Sequence, residues 1–135
     1  MSGEINLVKI IKQMNPVLNE GEYVFTTVAT ATHISRNDIL CEFKEPEGTA
    51  LILERTKADE LNLTYTYIAS WITLKVHSSL EAVGLTAVFA TELARHHISC
   101  NVIAGYYHDH IFTDKKHALK AIDILKQLSK NYKSI

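Results

Sequence analysis

The most constraining feature of the sequence is a change of hydrophobic period between Trp71 and His97. From Trp71 to Ser78 apolar and polar residues alternate, which is the pattern of a strand with one buried face. From Leu85 to His97 apolar residues recur every three or four positions, which is typical of an amphipathic helix. Gly84 stands between the two segments. The order predicts a strand followed by a helix that packs on the apolar face of that strand.

The second half of the chain extends this pattern into a larger unit. Ile98–Ala104 is predicted to form a strand, Gly105–Asp109 a turn and His110–Thr113 the returning strand. A last amphipathic helix is predicted to follow, with Thr113 as its cap. The order strand, helix, strand, strand, helix is a ferredoxin-like arrangement that lacks its closing strand. We expect the N-terminal half to supply that strand, with Tyr23–Val28 as the candidate.

The first half of the chain carries further signals of local structure. A short amphipathic helix is predicted to stop at Asn15-Pro16, because proline disfavours helical geometry in the residue before it. Glu45–Gly48 has proline and glycine placed for a tight turn between two apolar strands. Thr56 followed by Asp59 is typical of a capping box, which predicts a short helix over Lys57–Leu63.

Composition and charge narrow the class of protein. A hydrophobic fraction of 47% indicates a packed globular protein, and a net charge of −1 without an arginine cluster argues against a nucleic-acid partner. No apolar run reaches the roughly 18 residues needed to span a bilayer, and Met1–Met14 lacks the features of a secretory signal. Cys41 and Cys100 are interpreted as buried thiols. We therefore expect a cytoplasmic protein without a membrane partner, built from two modules, residues 1–69 and 70–135.

Gly84 gives the first functional hypothesis. A glycine lets a ligand approach the backbone closely, and the first amides of a helix lack internal partners and favour an anion. The residues therefore suggest a small carboxylate at this end of the helix. The alternative is that Gly84 only permits close packing of the helix on the strand.

His108, Asp109 and His110 form a second candidate site. The two histidines lie two apart, so in an extended segment they point to one face, where metal binding or acid–base chemistry is conceivable. A third ligand would have to be His77 or His96. We favour a loop ordered by hydrogen bonds, and we predict no metal, no cofactor and no catalytic residues. A small metal-dependent enzyme is the alternative.

A set of short motifs is shared with one known family. These are Gly84-Leu85 at the helix start, Leu93-Ala94 near its end, Ile98-Ser99 and Asn101–Ile103 in the next strand, and the His108–Phe112 return. In this combination the segment from His77 to Phe112 resembles the first four elements of an ACT domain, a small regulatory fold of amino-acid metabolism. The N-terminal pieces Asn19–Val28 and Glu47–Glu54 resemble a degenerate first module, as in compact bacterial tandem ACT proteins.

The resemblance implies a fold of α+β class, with two ferredoxin-like βαββαβ modules packed together and antiparallel sheets with helices on one face. It implies a non-enzymatic regulatory homodimer that binds an amino acid or a related small carboxylate between ACT modules and acts on a separate protein. The alternative is a structural, oligomerising module without a ligand.

The same resemblance implies a set of ligand-binding residues. An α-carboxylate would meet the helix amides, while Asn101 and strand carbonyls would hold an α-ammonium. The residues implied are Ser78, Ser79, Leu80, Val83, Gly84, Leu85, Thr86, Asn101, Val102 and Ile103.

Overall fold

Thirteen short elements make up the chain in the computed structural model, which describes residues 6–76, 79 and 81–133. The helices are α1 Leu7–Gln13, α2 Arg55–Glu60, α3 Leu85–Arg95 and α4 Ala118–Asn131, with 3-10 turns at Arg36–Asp38 and Lys115–His117. The strands are β1 Asn15–Leu18, β2 Tyr23–Val28, β3 Cys41–Glu45, β4 Gly48–Glu54, β5 Ile68–Lys75, β6 Asn101–Ala104 and β7 Asp109–Asp114.

These elements group into two units. One consists of residues 20–70, and the other combines residues 1–19 with residues 71–135. The N-terminal helix and first strand therefore belong to the same unit as the C-terminal half of the chain. Strand β5 contributes its first residues to one unit and the remainder to the other.

The unit of residues 20–70 is an antiparallel sheet with one short helix. Strand β2 pairs with β4 from Tyr23 opposite Glu54 to Val28 opposite Thr49, and β3 pairs with β4 through a two-residue turn. The strand predicted over Tyr23–Val28 and the hairpin predicted around Glu45–Gly48 are both confirmed. A small apolar cluster forms the core of the unit, namely Val24, Ile34, Leu51, Leu53 and Ala58.

Helix α2 begins earlier than the capping-box pattern predicts. Glu54 is the cap residue, and Thr56 lies inside the helix, so the prediction that Thr56 caps it is wrong. The Arg55 amide instead donates to the Glu22 carbonyl at 2.8 Å, which satisfies one of the free amides of the first turn. The Arg55 guanidinium also donates to the Glu22 carboxylate at 2.9 Å and to the Tyr65 hydroxyl at 3.0 Å. A backbone contact and an ion pair therefore replace the predicted side-chain cap.

The unit of residues 1–19 and 71–135 contains a sheet in the order β1-β5-β7-β6. Its closing strand is β1, which pairs antiparallel with β5 from Asn15 opposite Lys75 to Leu18 opposite Ile72. Strand β2 pairs along its whole length with β4 and, at Tyr23 and Val24 alone, with Ala69 and Ile68 at the start of β5. The prediction that Tyr23–Val28 supplies the closing strand of this unit is therefore wrong. Pro16 ends the preceding helix, and its fixed backbone is tolerated in a strand at the edge of a sheet.

The core of this unit follows the alternation seen in the sequence. Ile72 and Leu74 of β5 are fully buried and pack in one apolar cluster with Phe89 and Leu93 of α3. The cluster also takes in residues of α1 and α4 and the residue that follows each of them, namely Ile10, Ile11, Met14, Ala121, Ile124, Leu125 and Tyr132. The antiparallel pairs and the helices that cover them confirm the α+β, ferredoxin-like class.

The last helix is not capped as the sequence predicts. Thr113 lies in β7 and is fully buried, so the prediction that it caps the helix is wrong. Asp114 instead caps the 3-10 turn before α4, since its carboxylate accepts from the Lys116 amide at 3.1 Å, and the cap residue of α4 itself is His117.

Candidate functional site

A small cavity of about 200 Å³ lies beside the N-terminal end of α3. Gly84 is the cap residue of this helix, with a φ of 100°, a backbone conformation that favours glycine. Its carbonyl accepts from the Val88 amide at 3.0 Å, and the amides ahead of Val88 begin the helix without intrahelical partners. The helix end therefore contributes hydrogen-bond donors and a partial positive charge to this wall.

The opposite wall is the turn between β6 and β7. The two strands pair up to Ala104 opposite Asp109, and the Gly105 amide donates to the His108 carbonyl at 2.9 Å. A Cβ at Gly105 would lie 2.8 Å from that carbonyl and 3.1 Å from Nε2 of His110. The turn therefore requires glycine at this position for reasons of space.

Tyr107, His108 and Asp109 are the titratable residues in the cavity lining. Nδ1 of His108 is buried and has no hydrogen-bond partner within the described part of the chain. Burial raises the pKa of the Asp109 carboxyl, while the neighbouring His110 lowers it. The cavity lining thus combines the N-terminal end of a helix with a histidine and an aspartate.

Helix α1 covers part of the same helix end. A Cβ at Gly84 would lie 3.1 Å from Cδ2 of Leu7, so the Leu7 side chain is in contact with this glycine. The absence of a side chain at Gly84 therefore serves helix packing as well as the cavity.

The structure brings together four of the residues that the sequence indicates. Ser79, Gly84, Leu85 and Thr86 line the cavity. Val83 is 83% exposed and lies outside the lining. Ser78 and Leu80 lie outside the described residues.

The predicted residues of the second strand lie elsewhere. Asn101, Val102 and Ile103 are in β6 but outside the cavity lining, and the Asn101 amide donates to the Phe112 carbonyl at 3.3 Å. The residues that replace them belong to the strand end and the turn, namely Ala104, Gly105, Tyr107, His108 and Asp109. Gly105 was the signal in the sequence that the backbone of this turn packs closely against His108 and His110. The binding role of the predicted residues stays a prediction.

His110 belongs to a separate hydrogen-bond network. The indole nitrogen of Trp71 lies 3.0 Å from Nδ1 of His110, and the Thr73 hydroxyl lies 3.1 Å from the same nitrogen. The Asn19 amide donates to the Thr73 hydroxyl at 2.9 Å. An indole N–H can only donate, so Nδ1 accepts and the imidazole is neutral with its proton on Nε2. Burial, followed by the proximity of His108, lowers the pKa of His110 and favours this state.

The histidine pair therefore divides between two environments, with His108 at the cavity and His110 against Trp71. Within the described ranges there is no group of three His, Cys, Asp or Glu residues placed to hold a metal ion. Of the third ligands considered, His77 lies outside the described residues, and Nδ1 of His96 lies 3.0 Å from the Glu92 carbonyl at the end of α3.

Comparison with known proteins identifies the family. The ACT domain family matches residues 2–70 and, in a second match, residues 67–127. The chain therefore belongs to the ACT-domain family, with two domains in tandem. ACT domains are small-molecule-binding regulatory modules that are generally not catalytic. The search of curated proteins gave no match.

Solved structures agree with this assignment. The chain is 48% identical to a Vibrio cholerae protein described as a possible transport protein of unknown function, with 91% of this chain and 95% of that one covered at a TM-score of 0.82. An Agobacterium tumefaciens protein shares the fold at 10% identity, with 86% and 89% of the chains covered and a TM-score of 0.69. An aspartate kinase from Clostridium acetobutylicum shares the fold at 12% identity and a TM-score of 0.63, and the match covers 96% of this chain and 36% of the kinase chain.

One further observation concerns membranes. Within the described ranges, none of the helices combines the length and the apolar character that a bilayer crossing requires.

Proposed function

We propose that this protein is a non-enzymatic regulatory binding protein whose ligand is an amino acid or a related small carboxylate. The observation that carries the proposal is the cavity at Gly84, where the amide end of α3 faces His108 and Asp109. A carboxylate would accept hydrogen bonds from the first-turn amides, and an ammonium group would face Asp109. The volume of about 200 Å³ favours the smaller amino acids.

Ligand binding is tested by thermal unfolding of the full chain with a panel of amino acids. A ligand at 100 times its Kd stabilises the folded state by about 2.7 kcal/mol, which shifts the melting temperature measurably. Unchanged melting across the whole panel would contradict the proposal.

The site is tested with a matched pair of variants. Thr86 and Thr91 are both exposed threonines on α3, but Thr86 lines this cavity and Thr91 does not. Thr86→Trp is expected to abolish the stabilisation by ligand, and Thr91→Trp to preserve it. Equal responses in the two variants would place the ligand elsewhere.

A structural role without a ligand is the second candidate, and the contact between Leu7 and Gly84 favours it, because this contact gives the glycine a packing function. Under this reading no amino acid stabilises the protein, and Thr86→Trp leaves its assembly unchanged.

Self-association is proposed to use β3. This strand lies at the edge of its sheet, and its Phe43 is 68% exposed, which is unusual for an aromatic residue on a strand. Addition of a second copy at this edge would form the expected homodimer. Phe43→Ser is expected to shift the mass in sedimentation equilibrium towards the monomer, and an unchanged mass would exclude this edge. The regulated partner and the cytoplasmic location remain predictions from the sequence.

A further inference from the structure

A second, larger cavity lies between α3 and α4. Its volume is about 650 Å³, within the range of roughly 300 to 1,000 Å³ that is usual for small-molecule sites. Its apolar surface comes from both helices, namely Ala87, Val88, Ile124, Leu128 and Tyr132. Gly84 and Ala87 also line the first cavity, but the remaining residues of the two linings differ.

Tyr132 carries an unusual polar group at this cavity. Its side chain is 9% exposed, and its hydroxyl is buried without a hydrogen-bond partner in the described part of the chain. A buried hydroxyl without a partner destabilises the folded state, so such groups in native structures call for an explanation. A ligand atom that accepts a hydrogen bond from this hydroxyl would provide such an explanation.

Two basic residues and one acidic residue carry the charge of the lining. The basic residues are Arg95 and Lys133, and the acidic residue is Glu92. Glu92 is already paired with Arg95 at 3.7 Å. Lys133 therefore provides an uncompensated positive charge among the lining residues, next in sequence to Tyr132.

We infer that the cavity between α3 and α4 binds a carboxylate with an unbranched apolar chain, such as a medium-chain fatty acid. The carboxylate accepts a hydrogen bond from the Tyr132 hydroxyl and faces the Lys133 ammonium. The apolar chain lies along Val88, Ile124 and Leu128. This site shares Gly84 and Ala87 with the amino-acid cavity at the start of α3, and its other lining residues are different.

The inference is tested by titrating octanoate into the full-length protein and following backbone amide shifts by NMR. We expect saturable shifts at Val88, Thr91 and Leu128. Octylamine, which has the same chain and the opposite charge, is expected to bind more weakly. The absence of saturable shifts, or equal affinity for the amine, would overturn the inference.

Three variants locate the site. Thr91→Trp fills the cavity from an exposed position and is expected to abolish octanoate binding, whereas Ala94→Trp, an exposed alanine on the same helix outside the lining, is expected to preserve it. Thr86→Trp blocks the first cavity and is expected to leave octanoate binding intact, so failure of one proposal is distinguishable from failure of the other. Octanoate binding that survives Thr91→Trp would overturn the inference.

Tyr132→Phe tests the hydrogen bond. It removes the hydroxyl without changing the ring, and the affinity for octanoate is expected to fall roughly threefold to tenfold. An unchanged affinity would overturn the assigned contact. A concentration-dependent dimer that Thr91→Trp abolishes would show that the cavity is covered by a second copy, which also overturns the inference.

Discussion

Gly84→Ala is the most informative single substitution, because two separate physical effects meet at this position. The φ of 100° disfavours any residue with a Cβ, at a cost of about 1 to 2 kcal/mol. The new Cβ would also lie 3.1 Å from Cδ2 of Leu7, which is a few tenths of an ångström too close. The leucine end is flexible, so we expect the backbone effect to dominate. The predicted loss in the free energy of unfolding is about 1 to 2 kcal/mol.

Gly84→Asn separates the two effects. Asparagine brings the same Cβ towards Leu7 but tolerates positive φ far better than alanine does. If the backbone dominates, the asparagine variant should lose less than about 1 kcal/mol. If crowding dominates, both variants should lose the same amount, and Leu7→Ala should rescue both in a double-mutant cycle.

Urea unfolding is the assay. For small proteins the free energy of unfolding falls by about 1 to 3 kcal/mol per molar urea. The urea midpoint of the alanine variant should therefore be lower by roughly 1 M. An alanine variant with an unchanged midpoint would refute the reasoning, since it would show that the start of α3 adapts to a Cβ at no cost. The same variant should bind any amino-acid ligand more weakly, because the first-turn amides reorient.

Three further predictions concern buried polar groups. Thr113→Val should raise the free energy of unfolding by about 1 kcal/mol in urea, because the buried Thr113 hydroxyl has no hydrogen-bond partner among the described residues. Thr73→Val should lower it by about 1 kcal/mol, because the Thr73 hydroxyl contacts His110. Burial lowers the pKa of His110 from its usual 6.5, so below pH 6.5 the unfolded chain binds a proton that the folded chain does not. The free energy of unfolding should therefore decrease as the pH falls below 6.5, which is measured by Trp71 fluorescence. The decrease should be smaller in His110→Gln. Burial raises the pKa of Cys100 to about 11, so its reaction with thiol reagents at pH 8 should be far slower than that of a model thiol.

Local signals predicted the elements whose partners lie nearby in the sequence. The proline and glycine of Glu45–Gly48 set a hairpin between neighbouring strands, and the hydrophobic periods of β5 and α3 predicted apolar residues that are buried in the core. The polar face predicted for β5 is wrong at Thr73, which is also buried and whose hydroxyl lies against His110. Strand β1 was missed, because four residues around Pro16 show no alternation and their partner lies more than fifty residues further along the chain. A pairing between segments so far apart in the sequence cannot be predicted from local patterns.

The candidate site was predicted on one side and missed on the other. The glycine ahead of α3 lies at the start of the helix and lines the cavity, and its signal in the sequence is local. The opposite wall depends on how β6 and β7 pair, and this register brings the turn at Gly105, rather than Asn101, towards the helix. The cavity beside Tyr132 has no counterpart in sequence motifs, because it arises from the packing of two helices separated along the chain.

Strand β1 also bears on how the molecule forms during synthesis. Residues 15–18 leave the ribosome before residues 20–70, and their sheet partner in β5 emerges after those residues. Strand β1 must therefore wait for β5 before it can pair. A fragment that starts at residue 70 would expose the unpaired edge of β5, and a fragment that stops there would leave α1 without the helices on which it packs. Each half of the chain thus needs the other in order to fold, although the ACT domain occurs twice along the sequence.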